Sequence, residues 1–135
     1  MKPTAADWLG VALLTASALL AALIEALLVP YYIDGVIAPL TIALAAATNV
    51  ALPWLANGLI PRATARLAPF LAWLVVMIGF GVYTRPEGDV ILPGGGPGGV
   101  QYVTYGVLLG GALVGTVAQV WLSPPPQTRA GRVSR

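Results

Sequence analysis

Read for hydrophobic and polar positions, the chain divides into four long apolar stretches separated by short polar punctuation. A membrane-crossing helix needs roughly 20 mostly apolar residues. Four stretches approach or meet that length, over residues 8–29, 36–59, 67–83 and 102–122. The third is the shortest and has room to begin earlier, just after Pro61. Between them lie "PYYIDG", "IPRATAR" and a longer connection over 84–101. The tail over 123–135, "SPPPQTRAGRVSR", is Pro-rich and basic, a composition that favours disorder. The first stretch, "WLGVALLTASALLAALIEALLV", exceeds the ~7–15-residue apolar core of a signal peptide, and Glu25 interrupts it, so it reads as a retained helix. The pattern predicts an all-α, polytopic membrane fold of four helices.

Composition supports that reading. Of 135 residues, 58% are hydrophobic and only 9% charged, against about 25% charged in a typical soluble domain. So few charges cannot cover a water-facing surface. The chain has no Cys and no His. This removes disulfides, thiolate nucleophiles, the commonest transition-metal ligand and the commonest general base. No catalytic residue, cofactor site or metal site is expected. The isoelectric point near 9.3 reflects a net charge of only +2, which sets topology and does not point to nucleic acid.

Orientation follows from the cations flanking the spans. With four spans, Lys2, Arg62, Arg66, Arg129, Arg132 and Arg135 fall on one side and Arg85 alone on the other. Both termini and the Arg62/Arg66 connection are therefore expected in the cytoplasm of a plasma-membrane protein. The aromatic residues agree: Tyr31, Tyr32, Tyr83, Tyr102 and Tyr105 gather at the outer ends, and Trp8, Trp54 and Trp121 toward the inner ones. Small multidrug-resistance transporters also have four helices and a membrane Glu in the first. Their antiparallel assembly requires a weak charge bias, however, and the bias here is strong.

Glu25 is the most informative residue, because an acid within a span is costly and points to function by default. It reads either as a proton or cation site, or as an outer-end carboxylate that reaches the headgroups or pairs with Arg85. Asn49 lies near the middle of the second span. Pro53, four residues later, has no N–H, so the Asn49 carbonyl loses its helical partner and a kink is expected. Asn49 and Gln119 are expected to hydrogen-bond neighbouring helices. In the last span Gly106 and Gly110, and likewise Gly111 and Gly115, are spaced for close helix packing. Ala18, Ala22 and Ala26, and Ala43, Ala47 and Ala51, make similar small-residue stripes. Their spacing does not distinguish packing within the chain from docking onto another protein.

The segment "TRPEGDVILPGGGPGG" over 84–99 holds three of the twelve charges and six of the sixteen glycines. It has none of the Lys-Ser/Thr ending of a phosphate-binding loop. Arg85, Glu87 and Asp89 are too few for a calcium loop. It reads as an outer cap or a partner-docking surface, with Glu87 and Asp89 as its charged contacts. In "ADWLG", "NVALPWLA", "TRPEGDVILPG" and "YVTYGVLLGG" the chain resembles a family of small uncharacterised four-helix integral membrane proteins of actinobacteria, of mycobacterial type. The resemblance implies a plasma-membrane protein and supplies no catalytic residue.

Taken together, the residues predict a non-catalytic accessory or scaffolding subunit of a larger respiratory, transport or cell-envelope complex, embedded in the lipid bilayer. It would dock through its small-residue helix faces and outer loop. The alternative is a small homo-oligomeric proton- or ion-coupled transporter or channel that uses Glu25 and Asn49.

Overall fold

The computed structural model describes residues 2–29, 32–33, 36–82, 92 and 99–123, with backbone alone at 36 and 37. Four helices carry the fold: α1 (Ala5–Leu28), α2 (Leu40–Leu59), α3 (Ala63–Val82) and α4 (Val100–Trp121). At ~1.5 Å per residue each is ~30 Å or longer, enough to cross a bilayer. The protein is mostly helical, and these four helices are long and apolar enough to cross a membrane.

The observed helix ends differ from the expected ones for identifiable local reasons. Helix α1 starts at Ala5, ahead of Trp8, because Thr4 and Asp7 form a capping box. The Thr4 amide donates to Asp7 Oδ2 at 2.7 Å, and the Asp7 amide donates to Thr4 Oγ1 at 3.3 Å. Each side chain satisfies a backbone donor that the first helical turn leaves open. Helix α2 starts at Leu40, after the expected residue 36, because the chain first makes a short hairpin. Strand β1 (Tyr32–Ile33) pairs antiparallel with β2 (Val36–Ile37), Ile33 opposite Val36. The two intervening residues, Asp34 and Gly35, are a strong sequence signal for a hairpin turn. Helix α3 begins at Ala63, just past Pro61. Helix α4 begins after Gly99, whose φ of +80° only glycine adopts freely. Pro53 and Pro69 both lie inside continuous helices.

The bundle is small inside and large outside. Ala18, Ala22 and Ala26 of α1 are buried, whereas Leu9, Leu13, Leu20, Ile24 and Leu27 are exposed. Lipid tails are as apolar as leucine, so burying leucine between helices gains little, and close van der Waals packing of small residues takes over. Large residues enter the interior mainly from α3. Phe70 packs on Gly115 and Trp73 on Gly111, and Ile42 of α2 packs on Gly106. Helix α4 carries a π-helical turn over Gly106–Gly110. Helices α2 and α3 form the middle pair, with α1 packed on both and α4 mainly on α2. Lys2, Arg62 and Arg66 lie at the end of the bundle where α1 and α3 start and α2 and α4 finish.

Candidate functional site

The four helices meet at a polar junction around Glu25. This residue is three positions from the end of α1, yet its side chain is completely enclosed. Its two oxygens have different partners. Trp73 Nε1 of α3 donates to Oε2 at 2.6 Å, and Thr48 Oγ1 of α2 lies 2.8 Å from Oε1. Helix α4 contributes by absence: a Cβ on Gly111 would stand 2.5 Å from Trp73 Cη2 and 2.8 Å from Cζ2. The bare backbone of Gly111 thus makes room for the indole that binds Glu25. Gly111 is also close to Ala45 of α2, its nominal Cβ 3.4 Å away.

The expectation that Glu25 reaches the headgroups is therefore not met. Helical side chains tilt toward their own N-terminus. For α1 that direction runs back into the bundle, so the carboxylate sits deeper than its Cα. Thr48 is eight residues in from Leu40, ~12 Å along α2. Arg85, the other expected partner, lies outside the described residues, as do Glu87 and Asp89. Among the described residues the partners of Glu25 are neutral, Trp73 and Thr48.

Thr48 suits either protonation state of that acid. Its hydroxyl oxygen is 2.8 Å from Glu25 Oε1, 3.0 Å from the Leu44 carbonyl and 3.2 Å from the Ala45 carbonyl. A hydroxyl has one hydrogen and can also accept. With a carboxylate, Thr48 donates to Oε1. With a carboxylic acid, Glu25 donates to Thr48, and Thr48 donates to the Leu44 carbonyl. The Glu25–Thr48 contact is hydrogen-bonded in both arrangements, and the bond to the Leu44 carbonyl is made only when Glu25 is the acid.

Asn49 is buried beside this junction, but its amide donates to the Ala45 carbonyl at 2.9 Å, within its own helix. The expected bond from Asn49 to another helix is not the one observed; its acceptor, the Ala45 carbonyl, lies one turn back on α2 itself. Gln119 does cross between helices, donating through Nε2 to the Arg66 carbonyl at 3.2 Å. The glycines divide as well. Gly106, Gly111 and Gly115 receive Ile42, Trp73 and Phe70, while at Gly110 the nearest atom, Ile42 Cγ2, is at an ordinary 3.9 Å.

Sequence reasoning missed a second polar cluster at the cation-bearing end. Arg66 is 9% exposed and donates through Nη2 to Ser123 Oγ at 2.8 Å. Among the described residues its Nε is buried without a partner, and so is Gln119 Oε1. Arg66 served only as a topology marker in the sequence; its direction into the bundle comes from its place beside Ala65 and Pro69 on the buried face of α3. No protein-family model, curated protein or solved structure matches the chain.

Proposed function

We propose that this multi-pass plasma-membrane protein, with both termini in the cytoplasm, is a non-catalytic accessory subunit of a larger membrane complex. The observation that carries the reading is the uneven fate of the small-residue stripes. Ala18, Ala22 and Ala26 are consumed inside the bundle, whereas Ala43, Ala47 and Ala51 on α2 all face outward. An uncovered stripe of alanines admits a partner helix at close range. Glu25, by contrast, is tied inside the bundle to Trp73 and Thr48. We group the chain with the small actinobacterial membrane proteins it resembles.

The test is a mild-detergent purification of the natively expressed chain carrying a C-terminal tag, with mass spectrometry of its companions. The expected result is one larger assembly in fixed stoichiometry that Ala47→Phe disperses while leaving the helical content unchanged. Copies of this chain alone would reject it.

One observation favours a second reading, a proton-coupled homo-oligomeric transporter. Glu25 is an enclosed acid with neutral partners whose hydrogen bonds suit both protonation states. On that reading Glu25→Gln abolishes coupled flux in proteoliposomes and leaves folding intact.

A further inference from the structure

Two concavities meet at the cation-bearing end of the bundle. The larger is an apolar groove of about 650 Å³ between α1 and α2. Its walls include Leu13, Leu14 and Ser17 on one side and Trp54, Leu55 and Gly58 on the other. The smaller is a cleft of about 360 Å³ between the start of α1 and the α2–α3 connection, carrying Lys2, Asp7 and Arg62. Leu59 lines both, so the two adjoin. Leu59 leans across because residue 10 is glycine: a Cβ there would be 2.7 Å from Leu59 Cδ1.

From this juxtaposition we infer that the groove and cleft together form a binding site for one anionic glycerophospholipid. The acyl chain lies along the apolar groove and the phosphate between Lys2 and Arg62. The charge balance of the cleft supports an anion. Asp7 is already engaged, its Oδ2 accepting from both the amide and the hydroxyl of Thr4 at 2.7 and 2.8 Å. The two cations have no such internal claim among the described residues. The polarity also runs in the right order for a lipid. The cleft lies beyond the end of α2, where headgroups sit, and the groove runs back along the apolar lengths of α1 and α2. Each volume falls in the ~300–1,000 Å³ range of small-molecule sites. The site depends on the chain being embedded in a bilayer and is independent of the docking role proposed for the alanine stripe.

Two variants separate headgroup from chain. Lys2→Gln with Arg62→Gln removes the cations and leaves the groove. Gly58→Phe fills the groove, and it starts from open space, since a Cβ at Gly58 meets nothing within 4 Å. The measurement is native mass spectrometry of the full chain in detergent, titrated with phosphatidylglycerol, with phosphatidylcholine of matched chains, or with inorganic phosphate. We expect one phosphatidylglycerol retained in preference to phosphatidylcholine. The double charge variant should bind it ~30-fold more weakly at low salt, at roughly fivefold per interfacial cation, and Gly58→Phe should abolish retention. If Gly58→Phe does not fold, Ser17→Leu obstructs the groove from the opposite wall. Equal retention of the two lipids, or undiminished retention by the charge variant, overturns the proposal. So does inorganic phosphate displacing the lipid at equal concentration with no effect of Gly58→Phe, which would leave a simple anion site. Crosslinking from Trp54→Cys to a protein helix seated in the groove would overturn it too.

Discussion

Trp73 Nε1 donates to Glu25 Oε2 across 2.6 Å, joining the middle of α3 to the last turn of α1. Neither residue is exposed beyond 1%. The bond is possible because Gly111 of α4 leaves the indole its space, and Thr48 of α2 occupies the other carboxyl oxygen. One acid therefore ties three helices directly and depends on the fourth.

Substitutions at Glu25 should separate according to what they leave for Trp73. In Glu25→Gln the side-chain carbonyl still accepts from the indole, and a cost below about 1 kcal/mol is expected, in line with hydrogen bonds between membrane helices. In Glu25→Ala the indole N–H is stranded and a cavity opens, so about 2–4 kcal/mol is expected. Reversible unfolding in mixed micelles, followed by far-UV circular dichroism, distinguishes the two. Equal losses would show that the Trp73 bond contributes little.

Gly110 and Gly111 are neighbours that should respond oppositely to the same change. Gly111→Ala drives a methyl into Trp73 and should cost about 1–3 kcal/mol. Gly110→Ala makes only ordinary contact with Ile42 and should be neutral within ~0.5 kcal/mol or slightly stabilising. Trp73→Phe removes the outer indole atoms, so Gly111→Ala should be milder in that background. A double-mutant cycle should return a coupling of at least ~1 kcal/mol. Additivity would mean that Gly111 does not act through the indole.

Arg66 should prove dispensable for stability. Its guanidinium is buried, and among the described residues it meets no carboxylate and its Nε has no partner. Replacing a buried charge by an apolar side chain of similar length is commonly neutral or favourable. Arg66→Met should therefore unfold within about 1 kcal/mol of the parent or later. A loss above ~3 kcal/mol would mean that the Ser123 contact is far stronger than its single hydrogen bond implies.

The proposed topology can be read by chemical labelling, since the chain has no native cysteine. Thr64 and Tyr32 are both exposed and lie at opposite ends of the bundle. In intact cells an impermeant maleimide should label Tyr32→Cys and spare Thr64→Cys until the membrane is opened. The reverse pattern would invert the assignment drawn from the cations.

Four apolar runs of near-membrane length pointed to four helices, because in hydrocarbon the backbone groups of each run would have to be satisfied within their own segment. That much, with the choice of Glu25 as the residue to watch, was legible from one-dimensional spacing. The pairing of Tyr32–Ile33 with Val36–Ile37 was not foreseen, because the apolar run continuing from Val36 reads as the start of a span. What spacing leaves open is direction. Alanines every four residues describe α1 and α2 equally, and only packing turned the stripe on α1 inward and that on α2 outward. Gly110 and Gly111 are likewise equivalent in sequence, yet Trp73 meets only one of them. The partners of Glu25 are 23 and 48 residues away along the chain. Such pairings arise only when helices are set side by side, because which atoms can reach a buried carboxylate depends on helix stagger and rotation, which no local pattern records.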